Sequence, residues 1–475
     1  MVQHLINARS IRRIQSISSD NAFVKEVTLL ALITLVGALL RFYKLGEWSF
    51  WGDEVFTIGA KEDGFNFSIW RRSLATDLIR WATQVYGATE WNARIIPALI
   101  GIISIPILYF LIKRAINRPA ALIFAIYLAL STWHLYWSQN ARFYILLLLF
   151  YSCGLVAFYI GLEEDRPAWI VASLILFGMA ARERLLAVFS VPTILCYLLL
   201  LLTPFFEKPR GLRWRNMILF FSPIILVGGI FVAPYLGNLR EWMHGFGRIN
   251  SNPAWIVTST SFYISLPVIC LGTFATIHSI LKKERSALYF FLGGVIPLLG
   301  TAVLATFHYA ANRYAFVSLS SWLILAALAS RELFSRLGAQ ARFLSLGVVA
   351  VVVVGFLGDD FLYYNYHNGN RPNWKAAASF IQSHELPGDM ILCSEPDVLN
   401  YYLGEATFSL QTLKRVLASG RADRVWLVVD LNAPELFPEQ VDWARANATQ
   451  VANYDVQVHA RLFPMEVYLY EPVPR

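Results

Sequence analysis

The sequence predicts a polytopic α-helical membrane protein with a small C-terminal α/β module outside the bilayer. The first observation is compositional: 57% of the 475 residues are apolar, only 15% are charged, and the mean hydropathy is +0.50, far from a soluble globular protein. The second is a series of about eleven apolar stretches approaching the ~20 residues that a spanning helix needs. The third is that alternate connections between those stretches are basic.

The expected spans are Val27–Leu40, Ile95–Ile112, Ala120–Trp137, Tyr144–Leu162, Ala168–Ala180 and Leu186–Leu202. They continue with Met217–Tyr235, Ile256–Leu281, Leu288–Phe307, Phe316–Ala329 and Phe343–Leu362. Lys and Arg concentrate in cytoplasmic loops. Arg9, Arg12, Arg13 and Lys25 precede the first span, Lys113, Arg114 and Arg118 follow the second, and later basic loops keep the alternation. The N-terminus is therefore expected in the cytoplasm. An odd number of spans then places the residues after Leu362 outside, on the same side as the acidic pair Asp53-Glu54. Ile6–Ile17, with isoleucines among arginines, reads equally as an interfacial helix or an unstructured tail.

The division that follows is a membrane part over 1–362, with an external loop over 41–92, and an external α/β module over 363–475. The net charge of +8 does not point to nucleic acid. Acids outnumber bases after Phe361, so the whole positive excess lies in the membrane part, where it suits cytoplasmic loops facing anionic lipid. The four cysteines suggest neither a disulfide framework nor a metal site. In the module, Met390–Cys393, Val425–Val429 and Val467–Tyr470 read as strands. Trp374–His384, Pro396–Leu403, Thr412–Leu417 and Pro434–Ala446 read as helices.

The candidate chemistry lies on the outer side. Asp53 and Glu54 follow the aromatic stretch Glu47-Trp48-Ser49-Phe50-Trp51-Gly52, and adjacent residues point in different directions. One acid is expected to face a substrate and the other to support it. The 41–92 loop is long for a simple connection, and such loops usually carry function. Within it Trp70, Leu74, Leu78, Trp81 and Val85 fall at helical spacing with Arg72 opposite, as in a helix lying on the membrane or against the protein. Arginines on the outer side run against the charge rule: Arg142, Arg182, Arg184, Arg248 and Arg313. Each alone reads as a headgroup or ion-pair arginine. Arg142 and Arg313 together point to a phosphorylated lipid, since guanidinium groups grip phosphate through paired, charge-assisted hydrogen bonds.

These residues carry a resemblance. Arg41 with Trp51-Gly52-Asp53-Glu54, then Asn92-Ala93-Arg94-Ile95-Ile96-Pro97, then Ser138-Gln139-Asn140-Ala141-Arg142-Phe143-Tyr144 stand in order along the chain. Asn312-Arg313-Tyr314 and Arg371-Pro372-Asn373-Trp374 follow. In this the chain resembles the clan C glycosyltransferases that use polyprenyl-phosphate sugars, especially the protein O-mannosyltransferase and lipid A aminoarabinose transferase branch.

The resemblance implies an inverting transfer of a sugar from a polyprenyl-phosphate donor to an acceptor hydroxyl on a lipid, protein or glycan, at the outer face of a bacterial inner membrane. It implies Asp53 as general base with Glu54 in support, and donor-phosphate contacts from Arg142, Arg313 and Tyr314. Arg41, Arg94, Arg182 and Arg184 are further candidate substrate contacts, the Arg182-Glu183-Arg184 triplet for an anionic sugar or acceptor. No cofactor is implied and a divalent metal is not expected. A lipid flippase or transporter, and a polysaccharide polymerase or ligase, are the rival readings.

Overall fold

A computed structural model describes residues 23–59, 73–228, 252–336, 339–419, 424–458 and 461–471. Ile6–Ile17, Trp70, Arg72 and Arg248 lie outside them. Among the described residues, six helices are long and apolar enough to cross a membrane: Phe23–Phe42, Glu90–Ala115, Tyr144–Glu164, Arg285–Leu304, Asn312–Leu333 and Leu346–Asn365. Two bent pairs raise the number to as many as eight, and Leu185–Leu201 and Trp214–Leu226 are shorter apolar helices. The described part of every expected stretch is helical except for breaks at Ser131 and Ser265 and turns at the ends of two others, Leu202 and Ala305–Phe307. The difference from about eleven spans is one of helix length and continuity, not of helix placement.

The bends have local causes. Ala120–Trp137, expected to be one span, turns by 59° between Arg118–Leu130 and Thr132–Ser138. Ser131 leaves the helical region there and its side chain caps His134 N–H, restarting the helix as an N-cap does. Ile256–Leu281 turns by 94° between Pro253–Ile264 and Leu266–Leu281, where Ser265 has φ +89° and Pro267 brings no N–H to continue the ladder.

Tyr144–Glu164 runs through the centre of the bundle, nearly all of it buried. It packs tightly against Pro167–Glu183: a Cβ at Gly154 would sit 2.8 Å from the Phe177 ring. Helix Leu74–Tyr86 starts at Ser73, whose side chain accepts from Thr76 N–H, and turns Ala75, Ile79 and Ala82 inward while Leu78, Trp81 and Val85 stay exposed. That outward apolar stripe is what a helix lying at the lipid surface presents.

The C-terminal module is a five-stranded sheet in the order β2-β1-β3-β7-β4, with β1 Met390–Cys393, β2 Phe408–Ser409, β3 Val425–Asp430, β4 Thr449–Asn453 and β7 Met465–Tyr470. β1 runs parallel to β2 and β3, and β7 is antiparallel to β3 and β4. A separate hairpin joins β5 Val456–Val458 to β6 Arg461–Phe463. Successive strand residues serve opposite faces. Ile391, Cys393, Trp426 and Val428 pack with Trp374, Ala377, Ile381 and Leu399, while Leu392, Val425, Leu427 and Val429 pack with Leu413, Val416, Val441 and Ala444. All six residues of β3 are buried, as a central strand covered on both sides requires. The three expected strands are present. β2, β4 and the hairpin are additional, and the expected helix Pro434–Ala446 is split into Ala433–Leu436 and Pro438–Asn447.

Between bundle and module sits the short helix Gly52–Ile58. Phe50 and Val55 pack there with Ile79, Ala93 and Ala141 on the bundle side and Tyr401 and Tyr402 on the module side.

Candidate active site

The helix Gly52–Ile58 separates the two acids because neighbouring helical residues point about 100° apart. Glu54 turns inward and is fully buried. Arg94 grips it with both ends of its fork, Nε to Oε1 at 2.9 Å and Nη2 to Oε2 at 2.8 Å. Ala141 N–H donates to Oε1 at 2.8 Å and Arg371 Nε lies 3.4 Å from Oε2. Burial would push the Glu54 carboxyl up, but the Arg94 and Arg371 charges and these hydrogen bonds outweigh it and hold it low. The remaining Arg94 hydrogen bonds go to the carbonyls of Leu45, Trp48 and Ser49.

Asp53 faces the other way, into a cavity of about 830 Å³ between bundle and module, with 25% of its side chain exposed. Arg313 Nη2 and Arg142 Nη2 stand 3.8 and 3.9 Å from its Oδ2. These are ion-pair distances too long for hydrogen bonds. Burial again pushes its pKa up, and the Arg142, Arg313 and Arg184 charges more than reverse it, so the net shift is down. At neutral pH Asp53 is a carboxylate, and among the described residues no donor is hydrogen-bonded to its side chain. Such a group can still accept a proton or a hydroxyl.

The arginines divide by what their donors already hold. Arg142 is buried, its Nη1 donating to Asp53 O at 2.9 Å and Thr57 Oγ1 at 2.8 Å. Its guanidinium and that of Arg184 both lie over the Phe143 ring, 5.0 and 5.3 Å from the centroid. Arg313 donates to Tyr309 OH at 3.0 Å, lies 5.5 Å over Trp51 and 6.0 Å from the Tyr314 ring, and keeps a buried, unpartnered Nε.

Other expected contacts are placed elsewhere. Arg41, fully buried, donates to the carbonyls of Gly37, Ala129 and Leu128 and sits 2.7 Å from His134 Nδ1, tying the first helix to the end of Arg118–Leu130. Arg41 and Arg94 are thus spent on protein acceptors rather than turned to the cavity. Arg182 pairs with Asp77 at 3.6 Å, and Glu183 accepts from Leu74 and Ala75 N–H, so two of the triplet hold the start of Leu74–Tyr86. Arg184 alone of the three reaches toward Asp53.

The module adds a wall that the sequence reading assigned no role. Arg371, Glu395, Asp430 and Arg461 line the cavity with the aromatics Trp51, Trp133, Tyr136, Trp137, Trp255, Tyr263 and Tyr309. Arg371 was legible only as part of the Arg-Pro-Asn-Trp element. Arg461 lies on a three-residue strand too short to signal itself. Among the described residues no group of three His, Cys, Asp or Glu side chains is placed to hold a metal ion.

Comparison with known proteins agrees with this architecture. Residues 74–234 match the model of the dolichyl-phosphate-mannose-protein mannosyltransferase family. The apo structure of ArnT from Cupriavidus metallidurans is similar over 94% of this chain and 98% of its own, at TM-score 0.59 and 14% identity. The same protein bound to undecaprenyl phosphate is similar at TM-score 0.52. The oligosaccharyltransferase AglB from Archaeoglobus fulgidus, with an inhibitory peptide and a dolichol-phosphate, is similar over 92% of this chain and 74% of its own, at TM-score 0.56 and 12% identity. No curated protein sequence matches the chain. At these identities the likenesses show a shared fold, and the family model covers less than half of the chain.

Proposed function

We propose that this chain transfers a sugar from a polyprenyl-phosphate donor to an acceptor hydroxyl, with inversion at the anomeric carbon and Asp53 as the general base. The observation that carries this reading is Asp53 itself, an ionised carboxylate open to a large cavity and flanked by two arginines that charge it without saturating it. Attack by the acceptor oxygen forms the new glycosidic bond as the bond from the anomeric carbon to the phosphate oxygen breaks. The electron pair leaves with the lipid phosphate and the hydroxyl proton passes to Asp53. A base so placed contributes about 10²–10⁴-fold.

The leaving phosphate gains charge in the transition state, where preorganised cations stabilise it more than in the ground state. Arg313, with Tyr314 beside it, and Arg461 on the module wall supply that charge. Arg142, spent on the Asp53 helix, contributes its field rather than a contact. Glu54 and Arg94 fix the loop from which Asp53 projects. ArnT with undecaprenyl phosphate and AglB with a dolichol-phosphate support a lipid-phosphate ligand for a shared fold. The chain would act in a bacterial inner membrane with its N-terminus in the cytoplasm and the cavity outside, since the basic loops fall on the opposite side.

The test is transfer of labelled sugar from a panel of polyprenyl-phosphate sugars to membrane extract by wild-type and Asp53→Asn protein. Transfer by the wild type, reduced about 10²–10⁴-fold in the variant with melting unchanged, is the expected result. An Asp53→Asn protein as active as wild type would overturn the base assignment.

A further inference from the structure

The cavity wall contributed by the α/β module contains an acid that the reaction described above does not use. Glu395 stands immediately before helix Pro396–Leu403, yet it reaches across to the bundle side. A Cβ added to Gly52 would meet Glu395 Oε2 at 2.4 Å, so the carboxyl lies directly against the Gly52 backbone and a side chain there would displace it. The Gly52 backbone acts on this carboxyl, and it belongs to the first turn of the helix whose next residue is Asp53. On its other side the Asn432 amide lies 3.4 Å from Oε1. The charged groups acting on Glu395 are both acids, Asp430 from the end of β3 and Asp53; of the cations around this cavity, Arg313 and Arg142 pair with Asp53 and Arg371 with Glu54, while Arg461 also lines it.

Three carboxyls on one partly buried wall do not all ionise together. Asp53 has the arginines. Burial, then Asp430, then Asp53 push Glu395 up to about 8. Asp430 is raised too, chiefly by burial, and hydrogen-bonded N–H groups of Asn432 and Ala433 at 3.1 Å moderate it. Glu395 and Asp430 therefore titrate as a pair, with the last proton held at this wall near neutrality. The same cavity presents two further polar atoms that are buried and unpartnered, Trp137 Nε1 and Asn370 Oδ1, so the wall is set for a polar ligand.

We infer that Glu395 is a positioning residue of the active site, seating the start of the Asp53 helix from across the domain interface and governing, through its ionisation, how well the cavity accepts an anionic lipid-phosphate sugar. With the proton in place, the wall facing the donor carries one negative charge fewer while the carboxyl stays against the Gly52 backbone. Once the proton is lost, an added charge repels both the donor phosphate and Asp53. This inference rests on the glycosyltransferase reading above and adds the α/β module to its working parts.

The test compares purified full-length wild type with Glu395→Gln, which keeps the shape and hydrogen-bonding reach but cannot ionise. Between pH 6 and 9.5, wild-type kcat/KM for a polyprenyl-phosphate sugar should fall about tenfold per unit above the pair's pKa, mostly through KM, whereas Glu395→Gln should stay flat. Gly52→Ala, which displaces the same carboxyl, should lower kcat without removing the alkaline fall. Melting supplies a readout that needs no turnover. A carboxyl whose folded pKa lies above its unfolded value loses stability as pH rises between the two, so the wild-type melting temperature should drop relative to Glu395→Gln from about pH 5 to 8 and then level off. Sugar transfer with identical pH profiles and parallel melting curves for the two proteins would overturn the inference. If the wild type transfers no sugar from any donor, the functional reading falls while the melting comparison still decides whether Glu395 ionises at this wall.

Discussion

Asp53 and Glu54 are neighbours in sequence and opposites in environment. Glu54 is surrounded by donors, Arg94, Arg371 and Ala141 N–H, all directed at a fully buried carboxylate. Asp53 has charge nearby and, among the described residues, no donor in contact, with both arginines almost 4 Å away. A saturated carboxylate has no capacity left for a substrate and serves as a structural knot. An unsaturated one beside fixed cations stays ionised yet is free to take a proton. The difference lies in what surrounds each carboxyl rather than in the residues' identity, and on the proposed function it leaves Asp53 the freer of the two to act.

The largest effect should come from cutting the knot. Arg94→Ala leaves Glu54 buried and its main fork partner gone, and breaking a buried pair by removing one member costs about 3–5 kcal/mol. Unfolding in graded denaturing detergent should show a loss of that size. A stable Arg94→Ala protein with lost activity would instead move Arg94 to the chemistry and collapse the contrast between the acids.

Next in size is Arg313→Ala, which removes one of the two cations beside Asp53. Loss of a preorganised charge of this kind lowers kcat about 10²–10³-fold, with melting little changed because Arg313 makes few protein hydrogen bonds. The pH dependence sharpens the comparison. Asp53 lies below its ordinary carboxylate range because of Arg142, Arg313 and Arg184, so its base form persists as pH falls and the acid limb of kcat/KM in the wild type lies low. Removing Arg313 removes one lowering charge, and the limb in the variant should move to higher pH. An unmoved limb would mean that the base read out by kcat/KM is not Asp53.

The fold was legible where apolar length or alternation spoke alone. The expected spans are largely helical where they are described, and β1, β3 and β7 fall on the three apolar runs. What composition could not show was continuity: Ser131 and Ser265 break two apolar stretches that hydropathy joins. Strands of two or three residues, β2, β5 and β6, have no periodicity to read. Asp53, Arg142 and Arg313, singled out because charge away from the basic loops is out of place in a membrane protein, are brought together by the fold. Arg41 and Arg94 carried the same signal, yet their donors are consumed by carbonyls and Glu54. Only three-dimensional hydrogen-bond accounting separates a substrate arginine from a structural one. Glu395 and Arg461 come from the α/β module, and only its packing on the bundle brings them to the cavity.

The smallest expected effect tests the linkage between the two environments. Thr57 lies one turn after Asp53, its hydroxyl donating to Asp53 O at 2.9 Å and accepting from Arg142 Nη1 at 2.8 Å. Thr57→Val keeps the volume and removes both bonds, a loss of about 1–3 kcal/mol for a hydrogen bond to a charged group. Arg142 retains Asp53 O as an acceptor, so its charge stays near the carboxylate while its aim loosens. A roughly three- to tenfold lower kcat at nearly unchanged KM follows, since 1.4 kcal/mol is about a factor of ten. A drop as deep as that of Asp53→Asn would show that holding Arg142 at a fixed distance, rather than its charge alone, keeps Asp53 unsaturated. No drop at all would leave Arg313 as the cation that sets the base.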